Sequence, residues 1–342
     1  MSGGVDSSVA AALCLEQGSQ CIGVTLKLYK GESSCCSLAD VNDARNVAFG
    51  LGIDHYVLNF TEEFDEYVVR HFIETYEAGE TPNPCIECNR HIKFNSLLLR
   101  ARQLDFDILV TGHYARITKD PVSGRFLLRK GLDEKKDQSY VLYCLTQQQL
   151  ERTSFPLGEL SKDEVRRIAE DKKFINAAKG ESQDICFVPD GDYGSFIEEY
   201  TGKTYPGGDI IDMEGKIIGR HKGLIRYTIG QRRGLGVAAN TPVYVAAKST
   251  AANTVTLGPD SALFKKSLNA KDINLIACED IKKPMRVMVK TRYLQKAQSA
   301  TAEQTSDNNL LIEFDLPQRA ITPGQAMVMY DGDIVVGGGT IL

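Results

Sequence analysis

The sequence predicts an α/β domain built on a parallel sheet, followed by two smaller β-rich modules. Three observations predict it. Helical and strand-like runs alternate through the first half; a Ser/Gly turn at the very start runs straight into an Ala-rich helix; and from about Tyr205 onward glycine is frequent, helical periodicity fades and short β-type runs dominate. Strands that alternate with helices form parallel sheets covered on both faces. Short strands separated by Gly, Pro, Asn and Asp form small barrels or sheets.

Taken in order, SSVAAALCLEQ (7–17) reads as a helix, with Gly18 just past its C-terminus. CIGVTLKLY (21–29) is a β-branched and aromatic strand. Ala44, Val47, Ala48 and Leu51 recur at helical spacing, and HYVLNF (55–60) is the next strand. Helices follow over about 62–78 and 91–103, the second starting near Asn89 to His91, and DILVTG (107–112) is a short apolar strand. Ser161-x-x-Glu164 is a capping box opening a helix that reaches about Asp171. The later strands are KIIGRH, LIRYTIG, VYVAAK, TVTLG, RVMVKTRY, LLIEFD, QAMVMYDG and DIVVGGGTI. The expected division is 1–198, 199–256 and 257–342, with NTVTLGPD (253–260) marking the last boundary.

The 342 residues suggest two or three domains. With 42% hydrophobic and 25% charged residues the composition is that of a globular protein, and no apolar run approaches the roughly 20 residues of a membrane span. No signal or transit pattern opens the chain, so the expectation is a cytoplasmic protein with no membrane partner. A net charge of −5 excludes blanket electrostatic binding to nucleic acid but leaves local patches. Arg220, His221, Lys222, Arg226, Arg232 and Arg233, with Tyr227 among them, form such a patch; the competing reading is an ordinary solvated face. The nine cysteines of a cytosolic chain argue against a disulfide scaffold. Cys14, Cys21, Cys144 and Cys278 read as small hydrophobes. Cys35-Cys36 lies in a Ser-rich loop with no catalytic role assigned.

Ser2-Gly3-Gly4-Val5-Asp6-Ser7-Ser8 is the strongest local signal. Two glycines let consecutive N–H groups curl inward around an anion. The helix behind them adds unpaired N–H groups and the positive end of its dipole. The loop has no lysine and is not a Walker sequence. Further on, Thr81-Pro82-Asn83-Pro84-Cys85-Ile86-Glu87-Cys88 places a CxxC pair near a helix start, with Arg90 and Lys93 beside it. Such a thiol is expected to have its pKa pulled below about 8.5. CxxC spacing also suits thiol–disulfide exchange or half of a metal site. Cys186, in ESQDICFV (181–188), reads equally well as a packed or a reactive residue. His113 of TGHYA is either functional or a hydrogen-bonded structural histidine.

The SGGVDSS run resembles the pyrophosphatase-type loop of the Rossmann-like adenine nucleotide alpha hydrolase superfamily, whose members cleave ATP to AMP and pyrophosphate. The resemblance implies ATP and Mg²⁺, with Asp6 positioning metal and pyrophosphate. Such loops follow a buried first strand, and only Met1 precedes Ser2 here; the expectation is a chain shortened at its N-terminus, with weaker ATP binding. Together with TPNPCIECNRHIKF, TGHYA, KKDQSYVL, ESQDICFV, GLIRYTIGQRRGLG and a C-terminal RY and Gly-Gly-Gly, in order along nearly the whole chain, it resembles the tRNA-uridine 2-sulfurtransferase family of bacteria and mitochondria.

That resemblance implies thiolation of uridine at C2, at the wobble position. Ser2, Gly3, Gly4, Val5, Asp6, Ser7, Ser8, Leu26 and Gly112 would hold ATP. Asn83, Pro84 and Cys85 would lie against the target base, and Lys136, Asp137, Gln138, Arg292 and Tyr293 would contact tRNA. Cys88 would be the catalytic thiol and Cys186 would carry sulfur as a persulfide, delivered by a cysteine desulfurase or sulfur-relay protein. Cys85, Cys88 and Cys186 would alternatively ligate a [4Fe–4S] cluster, and a zinc site is the third option. The rival readings are another ATP pyrophosphatase, either a different RNA thiolase or an amidating synthetase, and a non-catalytic RNA-binding protein.

Overall fold

The computed structural model describes residues 1–29, 37–180, 185–188, 190–239 and 241–342, and Cys35-Cys36 lies outside them. The chain divides into two compact units: Met1–Val69, Pro84–Gly191 and Gly332–Gly337 form the first, and Arg70–Asn83, Asp192–Asp331 and Gly338–Leu342 the second.

In the first unit α1 (Val5–Glu16) begins directly after the glycine pair, and Gly18 follows its end at φ +82°. β1 (Gly23–Lys27) leads to α2 (Leu38–Leu51), which Ser37 and Asp40 open with a reciprocal capping box and Gly52 closes in the left-handed region. β2 (His55–Asn59) pairs with β1 in parallel, Gly23 opposite His55 and Lys27 opposite Asn59.

The helix expected over 62–78 is not uniform. It consists of α3 (Thr61–Phe64), a π-helical stretch Asp65–Arg70 and α4 (His71–Glu77). The second expected helix starts earlier than the sequence suggested. It comprises α5 (Pro84–Glu87), a π-helical stretch Cys88–Ser96 and α6 (Leu97–Gln103). Pro84 takes the first helical position, where its fixed φ suits the turn and its missing N–H is no loss.

β3 (Leu109–Val110) is followed by the hairpin of β4 (Ala115–Lys119) and β5 (Phe126–Lys130). After α7 (Ser139–Leu142) and α8 (Gln147–Glu151), β6 (Thr153–Ser154) runs parallel to β3. The parallel sheet thus takes the form of two strand pairs. α9 (Lys162–Asp171) opens with the Ser161–Glu164 capping box expected from the sequence. Val5, Val9 and Ala10 of α1 share a core with Tyr114, Leu157, Val165 and Ala169, which anchors the helix behind the phosphate loop against α9.

In the second unit, α10 (Tyr193–Thr201) precedes a four-stranded sheet of β7 (Gly208–Ile211), β8 (Ile217–His221), β9 (Tyr244–Ser249) and β10 (Thr254–Gly258), ordered β8-β7-β10-β9. Its core holds Ile210, Tyr227, Leu235, Val245, Val255 and Leu257. The last six strands are β11 (Phe264–Leu275), β12 (Met285–Lys290), β13 (Gln298–Ser306), β14 (Asn309–Arg319), β15 (Ala326–Asp331) and β16 (Ile334–Ile341). They run β11-β14-β13-β12-β15-β16, and a β11–β16 pairing closes them into a barrel. Closure removes the exposed edges an open sheet would leave. Among the described residues no helix is long and apolar enough to cross a membrane.

Candidate active site

The opening turn is tightly shaped by its glycines. Gly4 is the N-cap of α1 and supplies no side-chain cap, so the first N–H groups of the helix face outward without a side-chain acceptor from the cap. Gly3 adopts φ +72°, and a Cβ there would stand 2.3 Å from the Asp40 carbonyl oxygen. Gly112 presses against the same helix start: its Cβ would lie 2.7 Å from the Asp6 carbonyl carbon and 2.8 Å from the Ser7 nitrogen. Ser7 Oγ accepts from the Ser2 amide at 3.1 Å and donates to the Gly4 carbonyl at 3.1 Å. Ser8 is fully buried, and its hydroxyl also donates to Gly4 O. Leu26 stands half-buried near the end of β1.

Asp6 does not stand alone. Lys162 Nζ donates to both its oxygens, at 2.7 and 2.8 Å, and the Tyr114 hydroxyl donates to Oδ1 at 2.8 Å. Its side chain remains 32% exposed against 8% for Lys162. A carboxylate holding these bonds retains acceptor capacity, so Asp6 fits the role of a Mg²⁺ ligand. Tyr114 in turn exchanges bonds with Gln138: the Tyr114 amide donates to Gln138 Oε1 at 3.0 Å, and the Gln138 amide to Tyr114 O at 2.9 Å. His113 is internal, with Nδ1 2.8 Å from Thr111 Oγ1 and its ring against Phe94 and Phe155. Burial, aided by the charge of Lys93, holds its imidazole well below the ordinary value.

The early helix start changes the setting of the CxxC pair. Cys85 falls in the first turn and is exposed, whereas Cys88 lies a turn deeper and is 8% exposed. The helix dipole therefore bears on Cys85 more than on Cys88. Arg90 Nη2 donates to the Tyr143 hydroxyl at 3.4 Å, and Nη1 lies 3.9 Å from Glu87. Burial pushes the neighbouring Cys144 thiol up to about 12, which marks it as inert. Cys186 is half-buried, and the next residue, Phe187, is buried with its ring edge-on to Phe64 at 5.7 Å. α3, which carries Phe64, also packs against the π-helical stretch that begins at Cys88. α3 thus packs against both cysteine segments. Among the described residues no three His, Cys, Asp or Glu side chains are grouped to hold a metal ion.

Family models match the whole length: a tRNA methyl transferase HUP domain over residues 1–190, a tRNA methyl transferase PRC-barrel domain over 194–259 and an aminomethyltransferase beta-barrel domain over 265–341. The chain is 50% identical to the tRNA-specific 2-thiouridylase MnmA of Clostridioides difficile, covering all of this chain and 96% of that protein. It is 48% identical to that of Acetivibrio thermocellus, over all of this chain and 97% of the relative. The chain belongs to the tRNA-specific 2-thiouridylase family.

The residues that the 2-thiouridylase resemblance assigned to RNA differ in how free they are. Asp137 is buried, and its carboxylate accepts from the Gly131 and Ser139 amides and the Ser139 hydroxyl, so it shapes its loop. Lys136 beside it is half-exposed. Arg292 Nη2 is spent on Ile229 O, Ala320 O and Thr322 Oγ1, at 2.9, 3.2 and 2.7 Å, next to a half-exposed Tyr293. Thr81 and Pro82, leading to Asn83, are pinned by Gln325, whose side-chain amide donates to both carbonyls. The basic cluster splits in two. Arg220, Lys222, Arg232 and Arg233 are exposed, while His221 and Tyr227 are buried and Arg226 pairs with Asp192 and Glu198 of the α10 region. Sequence reasoning missed Lys162, Tyr114, Asn176 and Lys179 for this 2-thiouridylase site. Tyr114 sits inside the TGHYA motif next to the histidine that drew notice; the others carried no local signal.

Proposed function

We propose that the protein is a tRNA-uridine 2-sulfurtransferase that adenylates O2 of a uridine, at the wobble position, and replaces that oxygen with sulfur from a Cys186 persulfide. The observation carrying this reading is that one unit holds both the uncapped, glycine-shaped turn at Gly3–Gly4 and two cysteine segments that each pack on α3, one through the Phe64–Phe187 ring contact and the other along the stretch that begins at Cys88. Family membership supports the RNA substrate.

Oxygen is a poor leaving group from C2 of uracil. Attack of O2 on the α-phosphate of ATP releases pyrophosphate and leaves an adenylated base, while the loop N–H groups meet the growing phosphate charge. Asp6 would hold Mg²⁺, which when bound supplies charge neutralisation at the phosphates. Lys162 and Tyr114 fix the orientation of that carboxylate. The Cys88 thiolate then attacks the inner sulfur of the Cys186 persulfide. The S–S bond breaks, hydrosulfide leaves with the electron pair, and a Cys88–Cys186 disulfide forms. Hydrosulfide adds at C2 and AMP departs with the oxygen. A thiol reductant reopens the disulfide, and a persulfide-donating partner reloads Cys186. The target base must leave its stack to expose C2, and the exposed Arg220, Lys222, Arg232 and Arg233 are the basic groups available to the tRNA backbone.

Mass spectrometry of nucleosides from tRNA treated with ATP and a persulfide donor tests the proposal. The parent protein should yield 2-thiouridine, and Cys88→Ser and Cys186→Ser should not. Undiminished product from either folded variant would overturn the assignment and favour a pyrophosphatase that needs neither thiol.

A further inference from the structure

The turn between α9 and Cys186 reaches back to the phosphate loop. Asn176 is buried, at 2% exposure, and its Nδ2 donates to Gly3 O at 2.9 Å and to Ser8 Oγ at 3.0 Å. Lys179 Nζ approaches the same Gly3 carbonyl at 3.4 Å while donating to Asp40 Oδ1 and Asp43 Oδ2, both at 2.6 Å. One carbonyl oxygen thus receives two donors from behind the loop.

The peptide plane gives this contact its meaning. The carbonyl of Gly3 and the N–H of Gly4 belong to one planar trans unit, so they point in opposite directions. A Gly-Gly peptide resists inversion little, because neither residue has a Cβ to exclude the alternative dihedrals. Drawing Gly3 O toward Asn176 and Lys179 therefore turns the Gly4 N–H to the other side of the loop, the side an anion would occupy. Among the described residues, Asn176 Oδ1 is buried without a hydrogen-bond partner. The amide cannot be reversed to satisfy it, since Gly3 O can only accept. A buried Asn that leaves its own acceptor idle occupies this position for what its NH₂ group does.

We infer that Asn176, assisted by Lys179, is a positioning residue for ATP: it locks the Gly3–Gly4 peptide in the orientation that presents the Gly4 N–H to the phosphates. The inference rests on the reading of the Ser2–Ser8 turn as an ATP site.

The test is steady-state pyrophosphate release by the full chain with tRNA, over a titration of ATP-Mg²⁺. Asn176→Ala is expected to raise KM for ATP by about threefold to tenfold, the range of one oriented hydrogen bond, with kcat at saturating ATP within about twofold and KM for tRNA unchanged. Lys179→Arg should retain the parent KM and Lys179→Gln should raise it. A folded Asn176→Ala protein with the parent's KM for ATP overturns the inference. So does a loss of kcat alone in proportion to a lowered thermal midpoint, which a merely structural asparagine predicts. If the parent itself releases no pyrophosphate, the proposed function fails and not the clamp; binding of inorganic pyrophosphate, weaker in Asn176→Ala than in the parent, then still reads the peptide's orientation, and equal binding overturns it.

Discussion

Replacing Gly3 with alanine tests whether the opening turn is built around an anion. Gly3 sits at φ +72°, where a residue with a Cβ bears a strain of roughly 1–2 kcal/mol. The new Cβ would also lie 2.3 Å from the Asp40 carbonyl oxygen and 2.8 Å from the carbon behind it. That obstacle is backbone and cannot rotate away. The loop and the first turn of α2 would have to part by roughly 1 Å to reach ordinary contact, yet α2 is held there by the Ser37–Asp40 box and by Lys179. Overpacking of this kind costs about 1–3 kcal/mol, giving a total of about 2–5 kcal/mol concentrated in the loop. Gly18 is the control: its φ is +82°, and a Cβ there meets nothing within 4 Å. Urea unfolding and ATP-dependent pyrophosphate release would be measured on both variants. Gly18→Ala should lose about 1–2 kcal/mol of stability and keep its KM for ATP. Gly3→Ala should raise KM for ATP at least about tenfold, the equivalent of about 1.4 kcal/mol. A Gly3→Ala protein with the ATP dependence of the parent would refute the reasoning.

Further outcomes follow from the same geometry. The double replacement of exposed Arg232 and Arg233 by alanine should weaken tRNA binding and lower the slope of log K against log salt by roughly 1–2, whereas an unchanged slope would mean that this face does not meet RNA. Lys162→Met should raise the Mg²⁺ concentration needed for half-maximal pyrophosphate release, because Asp6 loses the cation that orients it; an unchanged Mg²⁺ requirement would argue against that role. His113 is kept neutral by burial in the fold, while the unfolded chain protonates near pH 6.5. Its contribution is therefore complete above about pH 6.5 and is lost as the pH falls below that value. The urea midpoint should drop between pH 7.5 and 5.5, and less so in His113→Gln; equal drops would assign the acid sensitivity elsewhere.

What was legible in the sequence depended on range. The glycine turn before α1 and the Ser161 capping box are local runs whose geometry follows from a few adjacent residues, and the structure forms both. Lys162 and Asn176 act on Asp6 and Gly3, 156 and 173 positions away, and nothing adjacent to them signals a partner. The helix at Cys85 starts at Pro84, several residues before the Asn89 to His91 start that the apolar spacing predicts, because proline suits a first helical position. The basic cluster shows the same limit from the other side. Spacing cannot tell that Arg226 meets Asp192 and Glu198 or that His221 bonds the Asn253 carbonyl, while Arg232 and Arg233 stay in solvent. The π-helical stretches at Asp65–Arg70 and Cys88–Ser96 add a residue per turn that a 3.6-residue period does not register.

The central claim is that Cys88 and Cys186 act on one sulfur atom. A single turnover without reductant, using protein loaded with persulfide at Cys186, tests it most directly by peptide mass spectrometry. A Cys88–Cys186 disulfide should form in step with 2-thiouridine, and only when ATP and tRNA are both present. Formation of 2-thiouridine with both thiols still reduced and unlinked would contradict it.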